Sequence, residues 1–203
     1  MKLLVTVLLI VAAVPFVNAQ VNVGDILCEG DTIVSPSNYD TCGYTAIGVV
    51  FYVDGSGEHG WAVSLDNVGI SQWGKHGEDT SLDNVAGNLR ASSDTAGFAN
   101  TKAILEEGLD YPAFKIVDFE NGWYLPAVGQ LKRLFRNLDE VNETLEKTGG
   151  KLINFDGYTY WSSTERSPYD AWYMCSIGII GCTSNSIDDC KTTPRYIRSV
   201  RTF

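Results

Sequence analysis

The sequence predicts an exported α+β protein. Three observations carry this: a charged and apolar leader at the N-terminus, β-branched and aromatic segments at both ends of the remaining chain, and helix-periodic segments between them. That order of strands, helices and strands differs from the strict alternation that builds a parallel sheet. The first nineteen residues, MKLLVTVLLIVAAVPFVNA, place one Lys before an unbroken apolar run ending at Ala19. This is the layout of a signal peptide, cleaved after Ala19. The run is too short to favour a permanent transmembrane anchor, and no Cys follows the cut to carry a lipid. Residues 20–203 are then expected as one domain that is not membrane-spanning after signal cleavage and is exported to the periplasm, the cell surface or the medium.

The first elements read as strands. AIGVVFYV (46–53), the turn residues DGSG (54–57) and HGWAVSL (59–65) give a β-hairpin over about 46–65. Residues 66–94, rich in Gly, Asn, Asp and Ser, read as a long irregular excursion over the surface. LDNV occurs at 65–68 and again at 82–85, but the flanks do not match, so no repeat is inferred. Helices follow. GFANTKAILEEG (97–108) ends at a glycine stop. A clearer helix begins near Pro126, with Val128, Leu131, Leu134, Phe135 and Leu138 on one face and Lys132, Arg133 and Arg136 toward solvent. A third runs from about Asp139 to Lys147 and stops at Gly149-Gly150. Strands return at 158–164, 171–177 around a turn at Gly178, near Cys182, and at 196–203.

Charge and cysteines bound the partners. The formal charge is −10, one unit more negative without Lys2. That argues against gripping phosphate backbones, so no nucleic acid partner is expected. All five cysteines, Cys28, Cys42, Cys175, Cys182 and Cys190, follow the leader, in a compartment that permits disulfides. The expected bridges are Cys175 with Cys182, placed symmetrically about Gly178, and Cys28 with Cys42, with Cys190 left over. No C-x-x-C spacing supports zinc, and His59 and His76 lie elsewhere in the chain, so no metal is expected.

GWYLPAVGQL (122–131), YWSSTE (160–165), AWYM (171–174) and YIRSVR (196–201) occur in an ordered set. Singly each has an ordinary explanation: a turn and helix start, a core Trp161, strand-edge charges at Arg198 and Arg201. Together they resemble the C-terminal domain of the Legionella collagen-like adhesin family, itself similar to formylglycine-generating enzymes and phage tropism determinants. The segment 46–65 resembles an N-terminal companion found on secreted proteins of gut Bacteroidetes. The resemblance implies a C-type-lectin-like fold with short antiparallel strands, two or three helices and long irregular loops. The Glu-Pro-Asn, Gln-Pro-Asp and Trp-Asn-Asp tripeptides of the calcium-dependent, sugar-binding form are absent from this sequence, and Asp188-Asp189 reads as a solvated turn.

The resemblance places ligand contact on the C-terminal strands and their loops, at Arg166, Tyr169, Asp170, Tyr173, Asn185 and Asp188. Exposed Tyr and Arg bring contact area and donors there. Ser162, Ser163 and Thr164 offer hydroxyls, but no G-x-S-x-G elbow accompanies them. The expectation is therefore a ligand-binding or adhesion-type module for an extracellular glycan or protein, with no catalytic residues and no cofactor. A structural cell-surface component is the alternative. A copper oxidase like the formylglycine-generating enzymes, using Cys175 and Cys182, is a more distant one.

Overall fold

A computed structural model describes residues 20–154, 157–175, 178–181 and 191–203, of which 178–181 are described by their backbone alone. The leader and residues Cys182, Asn185, Asp188 and Cys190 lie outside the described residues. Among the described residues no helix is long and apolar enough to cross a membrane. The fold is α+β, as expected.

Chain order gives β1 (Ile26–Cys28), β2 (Ile33–Val34), α1 (Tyr39–Cys42), β3 (Ala46–Val53), β4 (Gly60–Ser64), β5 (Gly69–Ser71), α2 (Asn88–Ala91), α3 (Gly97–Glu107) and α4 (Pro112–Lys115). Then come β6 (Trp123–Tyr124), α5 (Val128–Arg136), α6 (Leu138–Thr148), β7 (Tyr160–Glu165), β8 (Ala171–Cys175), β9 (Gly178–Gly181), β10 (Arg195–Ile197) and β11 (Val200–Thr202). They form two sheets. The first has the order β2-β1-β3-β4-β11-β6 and is antiparallel throughout; the second has the order β5-β10-β7-β8-β9. One pair in the second sheet, β10 with β7, is parallel, beside the short antiparallel strands that the resemblance implies.

The expected hairpin is β3 and β4, its two strands running from Gly48 opposite Ser64 to Val53 opposite Gly60. The three longer helices are the expected ones. Gly108 and Gly149 close α3 and α6 in the left-handed conformation that glycine reaches without a Cβ penalty. Helix α5 starts at Val128, not at Pro126. The Pro126 carbonyl accepts the Ser163 N–H (2.8 Å), so the segment before the helix is tied to β7. Val128, Leu131 and Leu134 are buried as the periodicity requires, with Phe135 and Leu138 packed at the margin. Arg133 does not simply face solvent. Its guanidinium lies 4.5 Å from the Tyr52 ring centre and 4.9 Å from that of Trp61, a cation–π stack across the helix-sheet boundary.

Several sequence expectations are corrected by long-range packing. Residues 66–94 are not merely a surface excursion: β5 joins the second sheet, Trp73 is fully buried, and Val85 is buried as well. The segment 196–203 is two strands, not one. It pairs with β5 and β7 as β10, breaks at Arg198-Ser199, and enters the first sheet between β4 and β6 as β11. Arg198, read from sequence as an edge charge, is 1 % exposed at that crossing. Its guanidinium donates to the Leu65 carbonyl (2.7 Å) and to Asn67 Oδ1 (3.3 Å), and burial pulls its pKa down to about 10.

The cysteines depart from expectation too. Cys28 and Cys42 are free thiols, donating to the carbonyls of Ile26 (3.9 Å) and Tyr39 (3.1 Å). Gly178 is a strand residue opposite Cys175, so it is not the centre of a turn, and the symmetry argument for pairing Cys175 with Cys182 is lost. Cys182 itself lies outside the described residues.

Candidate functional site

The 66–94 segment is pinned onto β7 and β8 by polar groups that the local sequence does not reveal. Three indoles do most of it. Trp73 Nε1 donates to the Ser162 carbonyl (2.7 Å), Trp161 Nε1 to that of Ser71 (3.1 Å), and Trp172 Nε1 to that of Val85 (2.8 Å). A buried indole has a single donor to satisfy, and here each one bridges segments far apart in sequence. Backbone bonds complete the seam, from Val85 N to the Glu165 carbonyl (3.0 Å) and from Gly77 N to the Pro168 carbonyl (3.1 Å).

Above this seam lies a cleft of about 290 Å3, walled by Leu82, Val85, Asp83, Arg90, Asp94 and Asn100 and reaching β7 at Thr164 and Glu165. Asp94 organises its inner end. Its Oδ2 accepts from Thr164 Oγ1 (2.6 Å) and Asn100 Nδ2 (3.3 Å), and its Oδ1 accepts the Ala96 N–H (2.9 Å). Thr164 Oγ1 in turn accepts the Val128 N–H at the start of α5 (3.0 Å). The Gly129 N–H donates to the Asp94 carbonyl (2.9 Å), and a Cβ at Gly129 would collide with that oxygen, so the residue type permits the approach. Arg90 on α2 is exposed at the rim, beside Leu89, which is 90 % exposed. The cleft thus presents carboxylates, a guanidinium and an amide around a short apolar strip, which suits a ligand rich in hydroxyls or amides.

The YWSSTE hydroxyls hold structure. Ser162 Oγ donates to the Trp172 carbonyl (2.7 Å), Ser163 Oγ accepts from Asn100 Nδ2 (3.2 Å), and Thr164 is occupied as described. All six residues of β7 are buried. Glu165, at the end of β7, contacts Lys191 with both side chains fully buried. Thr80 Oγ1 donates to Glu165 Oε2, and Lys191 Nζ donates also to the Glu78 carbonyl (2.8 Å). The Lys191 ammonium position lies 4.7 Å from the Trp73 ring centre.

Of the residues expected from sequence, Arg166, Tyr169 and Asp170 share the turn between β7 and β8. Arg166 Nη1 pairs with Asp170 Oδ2 at 3.1 Å, and Ser167 Oγ accepts the Tyr169 and Asp170 N–H groups, fixing the turn. Tyr169 is 53 % exposed at its tip, its ring 5.0 Å from that of His76. Tyr173 is not on that exposed tip. It is half-buried against Trp161, with the Arg195 guanidinium 3.7 Å from its ring centre. Asn185 and Asp188 lie outside the described residues. The sequence reading missed Asp83, Arg90, Asp94 and Asn100. The available signal was the length of the non-periodic stretch, since long loops without their own regular structure often carry function. Among the described residues no three His, Cys, Asp or Glu side chains are grouped so as to hold a metal ion.

No protein-family model matches the chain, and no curated protein matches it. Its fold is similar to that of a fimbrial protein from Bacteroides ovatus, with a TM-score of 0.67 and 21 % identity over 90 % of this chain. The chain spans about half of that protein, covering 49 % of its length.

Proposed function

We propose that this chain is a cell-surface, adhesion-type module that recognises an extracellular ligand, foremost a glycan, without metal or catalysis. The observation that supports the reading is the likeness of its fold to a fimbrial protein over 90 % of the chain. The cleft beside β7 and the turn carrying Arg166, Tyr169 and Asp170 adjoin at Glu165, and together form the proposed contact surface. Tyr169 supplies exposed ring area; Arg90, Asp83 and Asn100 supply donors and acceptors.

The test is an array of glycans and matrix proteins probed with residues 20–203, followed by titration of the strongest hit. Saturable glycan binding is expected, weakened by Tyr169→Ala by at least about 1–2 kcal/mol, with chelator having no effect. Binding only to proteins would redirect the ligand class. Binding abolished by chelator would require a metal site, and an array without binding would favour a structural surface component.

A further inference from the structure

The Glu165–Lys191 contact joins positions 26 residues apart, at the point where the cleft and the β7–β8 turn adjoin. We propose that these two side chains are joined by an amide between Glu165 Cδ and Lys191 Nζ, an internal cross-link fastening Lys191, ahead of β10, to the end of β7.

Four observations converge on it. Both side chains are 0 % exposed and in direct contact, and each is held from its far side as well. Thr80 fixes one carboxyl oxygen; the Glu78 carbonyl and the Trp73 ring fix the amine. The backbones are clamped too: Trp73 N and Gly74 N donate to the Lys191 carbonyl (2.8 and 3.2 Å), Lys191 N donates to the Tyr169 carbonyl (3.3 Å), and the Glu165 carbonyl accepts the Val85 N–H. Holding two reacting groups in one orientation replaces an encounter in solution by a unimolecular step. Protonation runs the same way. Burial is the leading cause that raises the Glu165 pKa and the leading cause that lowers that of Lys191. It moves the pair from carboxylate and ammonium toward carboxylic acid and amine, the forms that condense, since an ammonium has no lone pair to donate.

In the step, the Nζ lone pair adds to Cδ and the C–N bond forms. The C–O bond to the Thr80-bound oxygen then breaks. That oxygen departs as water, carrying the carboxyl proton and one proton from Nζ, and the second Nζ proton remains as the amide N–H. Nothing is oxidised or reduced. The product is one neutral amide in place of an ionisable pair whose charged form is costly to bury.

The mature chain, reduced and denatured, should weigh one water molecule less than its sequence. Its digest should contain a branched peptide joining the Glu165 and Lys191 segments. Lys191→Arg, which keeps the charge but cannot form this amide, and Glu165→Ala should each restore the full sequence mass. Thr80→Val should leave a larger uncrosslinked fraction. A folded wild-type chain of full sequence mass, yielding the two peptides unlinked, overturns the proposal, and that reading holds whether or not the variants fold.

Discussion

Two cores meet in this molecule and are built from different material. One gathers Val49, Phe51, Val63 and Val200 from the first sheet with Leu131, Leu134, Val141 and Leu145 from α5 and α6, closed by Tyr160 and Met174 of the second sheet. The other gathers Trp73, Tyr111, Phe114 and Trp161 around Ile104, Leu125, Ala171 and Ile197. Trp73 stands edge-on to both Tyr111 and Phe114, with ring centres 5.6 and 5.0 Å apart. The first core can adapt because aliphatic contacts have no required direction. The second is directional: its indoles must reach particular carbonyls, and it borders the buried Glu165–Lys191 pair. The candidate site is built on the directional side, where positions are set by bonds with defined geometry.

Breaking the aromatic side should have the largest effect. Trp73→Ala removes the ring beneath Lys191 and the donor to Ser162, and should cost at least about 3–5 kcal/mol in chemical denaturation. Loss confined to a few tenths of that would show that the seam is not a main support. Leu134→Ala tests the aliphatic side, where about 2–5 kcal/mol is expected for a fully buried leucine. An unchanged melting transition would contradict its place in the core.

The contrast sharpens at Thr164, where the hydroxyl alone can be exchanged. Thr164→Val keeps the volume but leaves the Val128 N–H without its acceptor and removes a donor from Asp94. A loss of about 1–3 kcal/mol is expected, together with weaker ligand binding at the cleft. A variant as stable as wild type would mean that water takes over both bonds.

The smallest effect belongs to Asp25, a buried residue just before β1, whose pKa is raised chiefly by burial against the opposing bond from the Asn22 N–H. A raised folded-state pKa favours the protonated form. The stability it contributes is therefore present below the ordinary carboxylate pKa and lost as the pH rises through the folded value. Asp25→Asn should unfold at slightly higher urea than wild type at pH 7, and the gap should close as the pH falls into the carboxylate range. A gap independent of pH would assign the difference to something other than ionisation.

Local pattern alone was enough for the elements with a clear period. The β3–β4 hairpin, the apolar face of α5 and the glycine stops of α3 and α6 follow from side-chain alternation, 3.6-residue spacing and φ preference, all of which act within a few residues. The same is true of the strands-helices-strands order that made the fold α+β. Three things were decided only by tertiary structure. Residues 196–203 split between two sheets because β4 and β6 left a place for β11 while β5 and β7 flanked β10. The 66–94 segment, with no period of its own, took its course from distant indoles and from Glu165. Asp94, Asn100 and Thr164 became a cluster through hydrogen bonds spanning up to 70 residues. Periodicity reports which face of an element is buried; it holds no information about which remote carbonyl, hydroxyl or ammonium will complete a polar group. The candidate site is made of those completions.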